Sequence, residues 1–318
     1  MILDNIEVYI FIIKEQLIVT KILVTGSSGF IGSNLVEKLR KDNHEVIEYD
    51  LKIGKDILNF EQLCANMRGV EVCYHLAAKA SHRLCMPYPR EYFLVDALGT
   101  ENVAEAARLC DVKSVVFTSS GSVYGSQPIP WSEENPVSPN GPYSYAKVTA
   151  EGIGKLYFSW YDINWKSVRC FNVVGPRCRD DTVVTIFYNR IVNNRSPIVY
   201  NKRGNSEKLN VVRDFTNVGD IVNGLLLASK FKPKSPEEIV FNMSAGYKTS
   251  ILELAEMMIE MLNKKGKLKP VSGILKDHEP LGMGADSSKA EKLLGWGKRL
   301  IPRETITKYI HWRKTTNI

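Results

Sequence analysis

Residues 21–32, KILVTGSSGFIG, constrain the fold more than any other stretch of this chain. Ile22, Leu23 and Val24 make a short apolar, partly β-branched run that ends at Thr25, and Gly26, Gly29 and Gly32 come after it, three residues apart. The run reads as a buried strand, and the glycines as a loop leading into a helix that starts near Gly29. Such a helix aims its unpaired N–H groups and the positive end of its dipole at whatever lies over the loop, where a pyrophosphate fits. The G-x-x-G-x-x-G spacing departs from the general G-x-G-x-x-G dinucleotide fingerprint. A tight strand-to-helix turn with no ligand would use the same glycines.

Beyond the loop the strand–helix pattern repeats. Ile31, Leu35, Val36 and Leu39 recur at helical spacing, residues 44–49 (HEVIEY) read as a second strand, and Asp50 closes it. A carboxylate there accepts hydrogen bonds from both adenosine ribose hydroxyls and repels a 2′-phosphate, which favours NAD over NADP; Lys52 weakens that preference slightly. A solvated strand-end aspartate is the plainer alternative. Further strands are expected at 70–76 and 114–118, with a helix at 96–109 between them. The small Ala77 and Ala78 after the first, and Ser119 and Ser120 after the second, stand at strand ends. Short buried strands alternating with helices imply a doubly wound parallel sheet of Rossmann type, with ligands over the carboxyl ends of the strands. Beyond a strand from Val168, helices at 182–192, 218–227 and 251–262 and a strand at 239–243 read as a smaller α/β region. The expected organisation is an extension at 1–20, a dinucleotide-binding domain at 21–175 to which the chain returns at about 214–243, and a substrate-binding domain made of 176–213 and 244–318.

Composition excludes several alternatives. Six cysteines without a C-x-x-C pair fit neither a zinc site nor a disulfide framework, so reduced thiols in the cytoplasm are expected and no metal is. The net charge of +7 is spread among interleaved acids and bases, and suits a small anion as well as it suits nucleic acid. The apolar stretch at 6–13 is too short to cross a bilayer, comes after acidic residues, and lacks a small-residue cleavage site. It is either an added element packed beside the sheet or an extension before the fold begins.

Reactive groups cluster after the fourth expected strand. Tyr143 and Lys147, four apart, share one face of a helix. An ammonium beside a phenol favours the phenolate, which makes Tyr143 a general base or acid for an alcohol, and Ser120 ends a strand of the same sheet from which its hydroxyl reaches the same oxygen. A Tyr–Lys pair on a solvated helix face has the same sequence pattern.

TGSSGFIG, Asp50, Asp56-Ile57, HLAA, TSSGSVYG, PYSYAK with Glu151, RCFNVVGPR, VRDFTNVGD and ADSSKAEKLLGW occur in that order. Together they resemble the extended short-chain dehydrogenase/reductase superfamily, and within it the NAD-dependent nucleotide-sugar epimerases, dehydratases and decarboxylases. The resemblance implies that Asp56 and Ile57 meet the adenine, that Phe30 and Ile31 meet the pyrophosphate, and that Leu76, Ala77 and Ala78 line the cofactor site with Gly26, Gly29 and Gly32. It also implies that Tyr143 is the acid/base, Lys147 its partner and a nicotinamide-ribose ligand, and Ser120 the hydroxyl partner, with Asn172 and Arg213 on the diphosphate of a nucleotide-sugar. Pairing of Arg213 with Asp214 or Asp220 is the plainer reading of that residue. Two helices, 96–109 and 143–160, resemble the pair that forms the family's homodimer interface.

Departures narrow the subtype. Ser120, Gly121 and Ser122 stand where the dehydratases have T-D-E, which removes the carboxyls that elimination needs. A long loop between Tyr200 and Arg213 resembles that of the UDP-galactose 4-epimerases. Asp96 stands where the family usually has Asn, and DHEPLGMG replaces the element carrying a second diphosphate arginine. The expected activity is UDP-hexose 4-epimerisation through a transient 4-keto sugar with tightly bound NAD. A 4-keto reductase or decarboxylase, and a non-catalytic dinucleotide sensor, are the alternatives.

Overall fold

The computed structural model describes residues 19–81, 84–201, 211–274 and 282–316. Residues 1–18 of the expected extension, most of the long loop after Tyr200, and the DHEPL half of DHEPLGMG lie outside them.

Six strands, β1 (Lys21–Thr25), β2 (Glu45–Tyr49), β3 (Val72–His75), β4 (Ser114–Ser120), β5 (Asn164–Cys170) and β6 (Val240–Met243), form one sheet. Their order is β2-β1-β3-β4-β5-β6, and every pairing is parallel. Both faces are covered, as a parallel sheet requires, and successive residues of a strand serve opposite faces. Leu23, Cys73, Val115, Phe117 and Trp165 face α2 (Phe60–Met67), α3 (Gly99–Leu109) and α4 (Pro142–Tyr161). Ile22, Val24, Tyr74, Val116, Val168 and Phe241 face α1 (Phe30–Lys41) and α6 (Val218–Lys230). Because β1 lies between β2 and β3, the chain reverses direction across the sheet there, and a crevice opens at the carboxyl end of β1, where the glycine loop sits.

The glycines are dictated by that packing. Gly26 has φ of 69°, and a Cβ on it would lie 2.6 Å from the Ala77 nitrogen; one on Gly32 would lie 2.1 Å from the Gly26 carbonyl oxygen. The strand-to-helix turn therefore closes only with hydrogen at both positions.

A second apolar core gathers Val184, Phe187, Tyr188 and Ile191 of α5 (Val183–Val192), Leu254, Met258 and Ile259 of α7 (Ile251–Met261), and Ile306, Tyr309 and Ile310 of α9 (Pro302–Thr316). Two small sheets, of two and three strands, adjoin it. The chain returns to the main sheet twice. Besides β6, Ala290 and Leu294 of α8 (Ser288–Leu294) and Trp296 pack with Leu225 and Phe241 on its outer face, so residues 288–296, expected with the substrate-binding part, share the core of the main sheet. The helix expected at 96–109 begins earlier: a turn at Pro89–Tyr92 runs through a π-helical stretch, Phe93–Leu98, into α3.

Candidate active site

A cleft of about 1700 Å³ lies over the carboxyl ends of the strands. Gly26, Gly29, Phe30, Ile31 and Gly32 of the loop and α1 line it, with Asp50 after β2, Asp56 and Ile57, Leu76 to Ala78 after β3, Ser120 at the end of β4, Tyr143 and Lys147 on α4, Asn172 after β5, and Arg213. All the residues singled out from sequence for cofactor, substrate or chemistry thus share one cavity. Its opposite wall is not among those expectations: Arg179, Asp181, Val184, Phe187 and Arg190 come from α5 and the turn before it. The charged CRDDT run directly after VGPR is the signal that could have pointed there.

The loop is fastened from below. The Asp50 carboxylate accepts hydrogen bonds from the Ser28 N–H at 3.0 Å and the Lys52 N–H at 2.8 Å. One bond per oxygen leaves lone pairs on both. Thr25 Oγ1 accepts from the Leu76 and Ala77 N–H groups, each at 3.1 Å, and lies 2.8 Å from His75 Nδ1. His75 Nε2 lies 3.0 Å from Thr100 Oγ1, whose hydrogen goes to the Asp96 carbonyl. Only one arrangement of hydrogens satisfies this chain: Nε2–H donates to Thr100, and Thr25 donates to Nδ1. Burial agrees, holding the imidazole pKa down at about 3.

The Ser120 hydroxyl acts on the Tyr143 phenol and favours its ionised form. Lys147 is 2% exposed; its Nζ donates to the Thr118 carbonyl at 3.0 Å and lies 5.9 Å from the centre of the Tyr143 ring. The expected lowering of the phenol by its lysine is not what this structure shows. Burial dominates and pushes the Tyr143 phenol up, Asp96 adds to the rise, and Ser120 opposes it. Burial also pushes the Lys147 ammonium down, with Asp96 as the main opposing influence. The i, i+4 spacing brings the two groups together, but solvation, which spacing does not encode, sets their protonation.

Behind the serine, a buried ion pair fixes the end of β4. Arg169 holds Glu151 through two bonds of 2.9 and 2.6 Å, Ser119 Oγ donates to the same carboxylate at 2.5 Å, and Arg169 continues to the Tyr124 hydroxyl at 2.6 Å. On the substrate side, Asn172 takes a positive φ of 33°, and its Nδ2 is buried without a hydrogen-bond partner. Arg213 Nη1 donates to the Val212 carbonyl. Of the neighbouring carboxylates, Asp214 accepts hydrogen bonds from Ser244 Oγ and the Gly246 N–H, and Asp220 from the Leu300 N–H. No cluster of potential metal ligands occurs among the described residues, and no helix among them is long and apolar enough to cross a membrane.

Sheet order, glycine turn and cleft define a Rossmann-type α/β protein with its site at the switch point. The chain belongs to the NAD-dependent epimerase/dehydratase family, whose model matches residues 22–244. It is 31% identical over 318 residues to a UDP-glucose 4-epimerase of Mycolicibacterium smegmatis, covering 91% of this chain and 97% of that one. A putative UDP-glucose 4-epimerase of Methanocaldococcus jannaschii is 33% identical over 319 residues, with 93% and 99% covered. Among solved structures, MoeE5 in complex with UDP-glucose and NAD superposes with a TM-score of 0.83 at 27% identity, covering 94% of this chain and all of that one. UDP-glucose 4-epimerase of Thermotoga maritima with UDP-glucose gives 0.86 at 25% identity, with 94% and 100% covered.

Proposed function

We propose that the chain is an NAD-dependent UDP-hexose 4-epimerase that works through a transient 4-keto sugar. The observation that carries this reading is the Ser120–Tyr143 hydroxyl pair, with Lys147 one turn on, inside a cleft that also contains the glycine loop and Asp50. At about 1700 Å³ the cleft exceeds the roughly 300–1,000 Å³ of a single-ligand pocket, which suits a dinucleotide and a sugar nucleotide side by side. The residues fit NAD: the glycine turn leaves the start of α1 open to a pyrophosphate, and Asp50 retains lone pairs for ribose hydroxyls. The buried, unpartnered Asn172 Nδ2 and the Arg213 guanidinium fit a second diphosphate.

NAD, when bound, supplies a reversible acceptor for the carbinol hydrogen. Tyr143 Oη takes the sugar hydroxyl proton, and Ser120 Oγ holds the oxygen in line with it. The same Tyr143 returns the proton after the keto sugar has presented its other face. Lys147, fixed by Thr118, stands one turn from the phenol, where it would hold the nicotinamide ribose. Gly121 and Ser122 place no carboxyl beside the sugar, which speaks against elimination.

In the same reading, residues 21–175 with the return at about 214–243 hold NAD, the core around α5, α7 and α9 holds the sugar nucleotide, and the protein is a cytoplasmic homodimer. Exposed apolar side chains on α3 and α4 support the dimer: Leu109, Leu156 and Tyr161 are about half exposed and Trp160 is 78% exposed. Purified protein is expected to interconvert UDP-glucose and UDP-galactose, or their N-acetyl forms, without added reductant. Tyr143→Phe is expected to abolish this while dinucleotide stays bound. No turnover of any of the four by NAD-loaded protein would overturn the reading. Carbon dioxide released from a UDP-uronate would favour a decarboxylase, the activity for which a 29% identical relative from Xenopus tropicalis, UDP-glucuronic acid decarboxylase 1, is named.

A further inference from the structure

Two walls of the cleft are bonded directly to each other. Ala80 and Ser81 come after β3 of the main sheet, and Arg179 and Asp181 stand in the turn before α5 of the second core. Arg179 Nη1 donates to the Ala80 carbonyl at 2.6 Å, while its Nε and Nη2 donate to the Asp181 carboxylate at 2.9 and 3.1 Å. Ser81 Oγ donates to the same carboxylate at 3.3 Å. A planar guanidinium that holds a carboxylate with its fork and a carbonyl with a third N–H is fixed in orientation. The bridge therefore sets where residues 80–81 lie relative to the second core.

The same short segment carries a tyrosine that the mechanism leaves unused. The Tyr92 hydroxyl, at the end of the turn Pro89–Tyr92, donates to the Ser81 carbonyl at 2.9 Å. Its ring stands edge-on to that of Tyr143, with centroids 6.3 Å apart and planes at 82°, a favoured geometry for two aromatic rings. Tyr92, Tyr143 and Cys85 make a small buried apolar cluster set apart from the other cores. A tyrosine hydroxyl is placed by two side-chain torsions, so what packs against the ring decides where Oη points.

We propose that Tyr92 is a positioning residue for Tyr143 and ties the placement of its ring to the Arg179–Asp181 bridge, so that the contact between the two walls also aligns the acid/base hydroxyl. The ring contact and the bonds stand on geometry; the consequence for turnover rests on Tyr143 being the acid/base.

Two measurements test it. The first is a cycle of Tyr92→Phe, Asp181→Ala and the double variant, read as kcat and KM for UDP-galactose. Tyr92→Phe keeps the ring and removes only its bond to Ser81. It is expected to lower kcat about tenfold, part of the roughly hundredfold that a 1 Å misplacement costs, with KM changed less than twofold. Asp181→Ala is expected to lower kcat as well, and the double variant to be no slower than the slower single one, because both changes cut one line of contacts. Effects that multiply, or an unchanged kcat in Tyr92→Phe, overturn the proposal. The second measurement needs no turnover. In protein with ¹³C-labelled tyrosine rings, the Tyr143 resonance, assigned by its loss in Tyr143→Phe, is expected to move in Asp181→Ala and to stay in place when Asp181→Ala is added to Tyr92→Phe. An unmoved resonance in the first case, or an equal movement in both, overturns the link, and Arg179→Met replaces Asp181→Ala should that variant fail to fold. If no sugar nucleotide is turned over at all, the functional reading fails, while the ring resonance still decides the link.

Discussion

Replacing Glu151 by Ala tests whether the catalytic end of β4 is held by a buried charge pair or merely by sheet pairing. Glu151 and Arg169 have side chains 9% and 6% exposed and share two hydrogen bonds, and a third reaches Ser119, next to the proposed catalytic serine. Removing the carboxylate strands a guanidinium among Tyr124, Ser119 and the sheet, with the Tyr124 hydroxyl as its remaining side-chain partner. Loss of one member of a buried pair costs about 3–5 kcal/mol, whereas replacing both by apolar residues of similar volume costs much less. Urea unfolding is therefore expected to show Glu151→Ala destabilised by about 3–5 kcal/mol at unchanged m-value. The double variant Glu151→Leu/Arg169→Met is expected to recover at least half of that loss. The double variant should still be slow, because Ser119 loses its acceptor in both proteins and Ser120 is the next residue on the strand. A single-variant loss below about 1 kcal/mol, or a double variant less stable than the single, would refute the assignment of the stranded charge as the dominant cost.

Two further perturbations probe the sheet and its loop. Lys166 is fully buried, bonded to Ser114 Oγ and the Asn164 carbonyl, and burial holds its ammonium pKa down at about 7. Its folded pKa lies below its unfolded value of about 10.4, so the unfolded chain binds more protons between about pH 7 and 10 and stability rises with pH across that window. Lys166→Met should therefore stabilise the protein by several kcal/mol at about pH 6.5 and by far less at about pH 10; a pH-independent difference in chemical denaturation would refute this. Gly32→Ala places a methyl 2.1 Å from a backbone carbonyl, whereas Gly29→Ala meets the same oxygen at 3.1 Å. The first is expected to lose about 1–3 kcal/mol despite the better helix propensity of alanine, and the second to stay close to the unaltered melting temperature. Equal losses in thermal melts would contradict the packing role given to Gly32.

The legible parts of the molecule are those in which local pattern and tertiary role coincide. Lys21–Thr25, Ser114–Ser120 and Pro142–Tyr161 are readable because uniformly apolar strands and a long helix leave unambiguous periodicities, and the site residues are readable because they fall at strand ends. Other features carry no period. The π-helical stretch at Phe93–Leu98 breaks the 3.6-residue spacing, so periodicity starts that helix at Asp96, well after its true beginning at Pro89. α2 and α8 are only eight and seven residues long and too short to show a repeat. The Arg179 wall of the cleft and the upward shift of the Tyr143 phenol depend on which distant segments exclude water, and no spacing in the chain encodes that.

The hydrogen-bond chain from Thr25 through His75 and Thr100 to the Asp96 carbonyl bears on proton traffic. To relay a proton it would have to invert every bond. Thr25 Oγ1, already accepting two amides, would then need to accept a third hydrogen, and the Asp96 carbonyl would lose its donor. The chain is a rigid tie that conducts nothing, and His75, although buried a few residues from the glycine loop's contact at Ala77, is no shuttle. In the proposed mechanism the proton passes between Tyr143 and the sugar, and this hydrogen-bond chain has no part in it. A reaction that begins and ends with the same number of protons needs no exit to solvent, and the Thr25–His75–Thr100 chain provides none.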